Sequence, residues 1–146
     1  MPSRDDLVRA AAFIDGEGCI CIKRHWPDRK GGRASRQILE LSVVNTDIRL
    51  PMWFASTFGG TVCTFKRPRV NHLFCWRVTN CRAEQVLKDC FEFFLIKREQ
   101  AEIALQFRKL IRPRGSNIPQ SELDQREEFK QRLTLIKKTP RQSVGA

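Results

Sequence analysis

Apolar residues crowd the start of the chain at helical spacing. Leu7, Val8, Ala10, Ala11, Phe13 and Ile14 follow a Ser3/Asp6 pair that reads as a capping box, which predicts a helix from about Arg4 to Ile14. The second half of that helix is apolar nearly all round, so one stripe can bury against its own domain while another asks for a second apolar surface, such as another subunit. Asp15-Gly16-Glu17-Gly18 ends the run, and the period then changes. Ile20 and Ile22 alternate with Cys19, Cys21 and Lys23; beyond the Pro- and Gly-containing stretch 24–36, Leu39, Leu41 and Val43 alternate with Ile38, Glu40 and Ser42. Both stretches read as strands with one core face, joined by a long exposed hairpin turn.

From 47 to 58 the pattern is helical again, with Pro51 in the first turn and a stop at Gly59-Gly60. Residues 61–66 and 73–79 read as two further strands around the turn Arg67-Pro68-Arg69. Helices are predicted at 82–94, 98–111 and 122–136, divided by Lys97 and by the loop Pro113-Arg114-Gly115, and residues 139–146 read as a frayed tail behind one domain, 1–138. The order predicts an α+β fold in which helices cover one face of a four-stranded antiparallel sheet. Ile20, Ile22, Leu39, Leu41, Val43, Phe74 and Trp76 are expected on the covered face, and Lys23, His25, Arg36, Glu40, Ser42, Thr64, Lys66 and Arg77 on the other.

Composition bears on what that second face meets. Lys and Arg number 27 against 16 Asp and Glu in 146 residues, a net charge of +11 and a pI near 10.0. With 41% hydrophobic residues this is a folded domain that meets a polyanion, DNA or RNA before an anionic membrane. No apolar run is long enough to span a bilayer and no secretion-signal pattern opens the chain, so a soluble, intracellular protein without a membrane partner is expected. Cys19, Cys21, Cys63, Cys75, Cys81 and Cys90 form no C-x-x-C pair, and His25 and His72 add no zinc-like spacing. Buried or strand-face thiols fit better than zinc or disulfides.

A merely solvated face would be just as polar. The hairpins favour nucleic acid, because Arg24, Arg29, Lys30 and Arg33 stud the first turn and Lys66, Arg67 and Arg69 the second. Placed at the ends of the sheet, these cations can track phosphates while the donors and acceptors between them read base edges in a major groove.

The stretch AAAFIDGEG, residues 10–18, resembles the nine-residue signature of the LAGLIDADG homing endonuclease family, with Phe13 to Gly18 carrying the match. "VVNTD" at 43–47, the Gly59-Gly60 pair and "LIKREQA" at 95–101 stand where the resemblance expects the end of a second strand, a helix stop and the start of a basic active-site helix. The likeness spans residues 5–112. It departs at Ala10 and Ala12, where leucine and glycine are usual, at Glu17, which replaces a final aspartate, and at Asn45, which is shorter than the usual glutamine.

Such a resemblance implies that signature helices of two domains pack side by side, each delivering an acidic residue to divalent metal at the DNA. One signature is present, so a homodimer on a roughly palindromic duplex target is implied. Ala10, Ala11 and Ala12 would let the two helices approach, and Asp15 would support their ends. Glu17 and the Gly16 carbonyl are the implied ligands for Mg²⁺, with Mn²⁺ or Ca²⁺ as alternatives at the same site. Lys97 stands where a cation would face the scissile phosphate, Asn45 where an amide would hold the attacking water, and Arg49 where a guanidinium would assist. The implied activity is Mg²⁺-dependent, site-specific cleavage of both strands of DNA. The alternative is a non-catalytic binder, either a maturase for intron RNA or a DNA-binding regulator.

Overall fold

Ser3 opens the first helix, α1 (Arg4–Glu17), by a reciprocal contact. Its hydroxyl accepts the Asp6 N–H at 3.1 Å, and the Asp6 carboxylate accepts the Ser3 N–H at 2.9 Å. The computed structural model describes residues 1–25, 36–111 and 118–138, without the side chains of His25 and Arg36. The helix runs three residues past Ile14, taking Asp15, Gly16 and Glu17 into its last turn. It stops at Gly18, whose N–H reaches back to the Ile14 carbonyl while its own backbone is already extended. A Cβ on Gly18 would lie 2.7 Å from Ile14 O, so only glycine lets helix and strand meet this closely.

After α1 come β1 (Gly18–His25), β2 (Arg36–Asn45), α2 (Arg49–Phe58), β3 (Thr61–Phe65), β4 (Leu73–Thr79), α3 (Asn80–Cys90), a 3₁₀ turn (Phe91–Phe93), α4 (Arg98–Lys109) and α5 (Gln120–Lys138). The segment expected as one helix over 82–94 is thus α3 and a 3₁₀ turn, which releases the chain into extended backbone at Phe94. The four strands form one antiparallel sheet in the order β1-β2-β4-β3.

Register fixes which side chains share a face, because directly paired residues point the same way. Ile20 pairs with Leu41 and Leu41 with Val78; Val43 pairs with Trp76 and Trp76 with Val62. These residues lie under the helices together with Ala10, Ala11, Ile14, Leu87 and Phe107. Trp76 stacks on Phe54 of α2 with centroids 4.6 Å apart and donates its indole N–H to Gly59 O at 2.7 Å. The other face carries Cys19, Cys21, Lys23, Ile38, Glu40, Ser42, Val44, Thr61, Cys63, Phe65, Cys75, Arg77 and Thr79.

Thr64 corrects the sequence reading. It pairs with Phe74, whose other partner is Asn45, so it lies on the helix-covered side although β3 is an edge strand and the residue is exposed. The error is one of parity: the exposure of β3 hides its alternation, and only the pairing with β4 sets it. His25 and Arg36 end β1 and β2 directly opposite each other. Arg29, Lys30 and Arg33 lie outside the described residues.

Candidate functional site

The last residues of α1 and β2 meet. Asn45 Nδ2 donates to Glu17 Oε2 at 2.7 Å, while Asn45 Oδ1 accepts the backbone N–H of Asp47, also at 2.7 Å. The Asp47 carboxylate in turn accepts the backbone N–H of Arg49 at 3.0 Å and its guanidinium through Nε and, at 2.6 Å, Nη2. Those donors pull the Asp47 carboxyl down to about 2. Glu17, Asn45 and Arg49, each singled out in the sequence, are therefore joined through Asp47, which was not. The missed signal is local: Asn45 and Asp47 form successive Asx turns, each side chain accepting the N–H two residues on.

Asp15 faces the other way. Its two carboxylate oxygens accept the backbone N–H groups of Leu95, Ile96 and Lys97 at 2.8, 3.1 and 2.9 Å, anchoring the start of α4 within the same chain. Lys97 Nζ donates to the backbone carbonyl of Asp15 at 2.9 Å, which places that ammonium on the last turn of α1. The expected basic residue of the "LIKREQA" stretch thus lies at the helix end.

The small-residue stripe of α1 divides. Ala10 and Ala11 are fully buried inside the protomer, so they cannot face a second copy; Ala12 is exposed. The periodicity that made α1 apolar all round could not say which side its own domain covers. Val8, Ala12, Phe13 and Gly16 are exposed on the outward side; Arg9 lies over the Trp53 ring of α2 and Arg4 over the Phe93 ring of the 3₁₀ turn. Ile48, Met52, Leu95 and Ile96 extend the set of exposed apolar side chains at the starts of α2 and α4.

On the open sheet face, Glu40 and Ser42 form a buried polar floor. Lys23 and Arg77 stand over Glu40, and its hydrogen bond raises the Lys23 ammonium above its ordinary value. Four thiols, Cys19, Cys21, Cys63 and Cys75, share this face, as the alternation of β1 foreshadowed for the first two. Lys137 of α5 reaches Cys19 Sγ at 3.6 Å. Lys66, Arg67 and Arg69 are exposed in the β3–β4 turn, which Arg67 closes by donating its guanidinium to Asn71 O at 2.7 Å.

No family model matches the sequence, and no curated protein matches it significantly. The fold has clear counterparts. It resembles the homing endonuclease I-CvuI, solved with a DNA target and 2 mM Mg with the DNA uncleaved, at a TM-score of 0.73 and 18% identity over 94% of this chain and 85% of that one. The archaeal intron-encoded homing endonuclease I-Vdi141I, complexed with DNA, gives 0.72 and 15% over 94% and 86%. The LAGLIDADG homing endonuclease I-SmaMI, bound to cleaved DNA, gives 0.66 and 18% over 86% of this chain but 42% of its own length. The chain has the fold of the LAGLIDADG homing endonucleases, α+β with a four-stranded antiparallel sheet.

Proposed function

We propose that this chain is one subunit of a homodimeric, Mg²⁺-dependent endonuclease that cuts both strands of a long, roughly palindromic DNA target. The observation that carries the proposal is Glu17: an exposed carboxylate on the last turn of α1, held by Asn45, on a turn whose Asp15 carbonyl accepts from the Lys97 ammonium, where the sheet begins. I-CvuI and I-Vdi141I share this fold and were solved with DNA, which supports duplex DNA as the substrate.

The outward face of α1 supports self-association. Val8 along α1 and Phe13, Leu95 and Ile96 nearer its end are exposed apolar side chains, and covering them with a second copy would bring two Glu17 residues together. That this chain matches under half of I-SmaMI agrees with a site assembled from two copies.

Among the described residues no three His, Cys, Asp or Glu side chains converge on one point. This donor set fits Mg²⁺ shared with DNA, since that ion keeps several waters and takes one or two carboxylates, with phosphate oxygens completing its shell. Glu17, with the Gly16 carbonyl, would hold it; when bound, it neutralises charge on the phosphoryl oxygens and lowers the pKa of water. The protein's own part is positioning. Asn45 fixes the Glu17 carboxylate, Asp15 secures α4 so that the Lys97 ammonium stays beside the helix end, and Arg49 places a guanidinium at the rim.

The test is selection of binding sites from a randomised duplex library, then incubation of the selected duplex with Mg²⁺. Double-strand cleavage by wild type, lost in Glu17→Gln with binding kept, is the expected result. Binding without cleavage at any Mg²⁺ concentration would leave a regulator or maturase.

A further inference from the structure

An acid sits at the centre of the open sheet face. Glu40 lies mid-strand on β2 with its side chain only 9% exposed, paired with Cys21 on one side and Thr79 on the other. Its Oε1 is 2.6 Å from Lys23 Nζ and its Oε2 is 3.4 Å from Arg77 Nε. Neither cation is its direct cross-strand partner. Lys23 pairs with Ile38 and Arg77 with Ser42, so the two reach Glu40 along diagonals from the strands on either side. The result is a cation–anion–cation line across β1, β2 and β4.

A buried carboxylate is a poor direct contact for a polyanion, and both oxygens of this one are turned to cations. Long basic side chains on a DNA-facing surface, left to themselves, follow phosphates, which carry no sequence information. Held together at fixed height, the same groups become donors in a defined place. The base edge that offers two acceptors to such donors is guanine, through O6 and N7. Because both cations converge on one carboxylate, the donor pair spans no more than about two base-pair steps of about 3.4 Å each. Arg77 Nε is buried, has no hydrogen-bond partner and faces Glu40 Oε2 as an ion pair, while the Arg77 side chain also meets the Cys75 thiol on the same face.

We infer that Glu40 is a positioning residue for sequence reading, which fixes Lys23 and Arg77 side by side as donors for adjacent guanine edges in each half-site. The inference rests on the proposal that this face binds duplex DNA. It predicts a separation that a purely structural role would not produce: without the carboxylate, affinity for DNA in general rises while discrimination falls.

Binding-site selection from a randomised duplex library, run on wild type and on Glu40→Gln, tests it. Wild type should select two adjacent G·C pairs in each half-site. Glu40→Gln should bind random duplex at least as tightly, with a steeper salt dependence, and discriminate at those two pairs at least tenfold less well, selection elsewhere being unchanged. Lys23→Met, which keeps Glu40 and removes an exposed head group, should lose selection at one of the same two pairs; it serves as the second reading if Glu40→Gln fails to fold. Equal discrimination by Glu40→Gln and wild type, or a Lys23→Met loss that maps elsewhere, overturns the inference. Wild type that selects no sequence overturns the DNA-reading proposal itself, and the inference with it.

Discussion

Asn45 Nδ2 lies 2.7 Å from Glu17 Oε2, and this bond joins the last residue of β2 to the last residue of α1. The amide cannot turn round, because its oxygen is occupied by the Asp47 N–H at 2.7 Å. Glu17 is therefore held by a donor whose direction is set by backbone. If Glu17 holds Mg²⁺ as proposed, replacing Asn45 with alanine should lower single-turnover cleavage roughly 10–100-fold and raise the Mg²⁺ concentration needed, the cost usual for an outer partner of a metal-binding carboxylate. Binding to the uncut duplex should hardly change. Asn45→Asp should be worse, since it sets a second anion against Glu17. Full cleavage by Asn45→Ala at low Mg²⁺ would show that Glu17 needs no such support.

Asp15 makes its contacts inside one chain, with three backbone N–H groups at the head of α4. Asp15→Ala strands those donors and removes the brace that keeps Lys97 near the helix end. A loss of about 2 kcal/mol in urea-induced unfolding is expected, within the range for charged hydrogen bonds and helix caps. Asp15→Asn, which can keep some of the contacts, should lose less.

The order of elements was legible because both periods are strong: the apolar 3.6-residue run of α1 gives way abruptly to the alternation of Ile20, Ile22, Leu39, Leu41 and Val43. What stayed hidden needed three dimensions. Thr64 lies in a strand too exposed to show its parity, so its face emerges only from pairing with Phe74. Ala10 and Ala11 look no different from Ala12 until the sheet and α3 cover one side of the helix. The end of α1 could not be placed from Asp15-Gly16-Glu17 alone, because two glycine positions in such a stretch ordinarily mark a stop. Here the helix persists to Glu17, stopping only where Gly18 caps it on Ile14. Asp47 was invisible as part of the site because its contacts are two residues long and look like a turn.

Acid should weaken the fold through carboxylates on the helices, Glu84 and Glu127 among them. Hydrogen bonds from Lys88 at 2.8 Å and Arg108 at 3.0 Å hold Glu84 below its ordinary 4.5, and Arg24 and Gln37 do the same to Glu127. A carboxyl with a lower pKa folded than unfolded contributes stability that is fully present above the unfolded value and lost as pH falls through the folded one. Lys23, raised by Glu40, has the opposite sign: its contribution is complete below 10.5 and lost as pH rises through its folded value. Thermal unfolding should therefore be flat with respect to these groups from about pH 5 to about pH 10 and fall on both sides. Glu84→Gln should be less stable by about 1 kcal/mol near neutrality and show a shallower acid limb, with Arg108 left without its anion. An acid limb unchanged in that variant would remove Glu84 from the account.

Gly16 and Gly18 differ in what surrounds them, and this separates folding from function. A Cβ at Gly18 would meet Ile14 O at 2.7 Å and Ile14 Cα at 2.8 Å, backbone that cannot step aside, whereas one at Gly16 would meet nothing within 4 Å. Gly18→Ala should therefore destabilise the isolated chain by about 1–3 kcal/mol through overpacking. Gly16→Ala should leave it as stable or up to about 1 kcal/mol more so, because alanine is the better helix former. If the outward side of α1 meets a second copy and a phosphate, the same harmless methyl intrudes where close approach is needed. Sedimentation should then show weaker self-association by Gly16→Ala, and cleavage should fall despite the intact fold. A Gly16→Ala protein that dimerises and cuts like wild type would place the subunit contact away from this helix end.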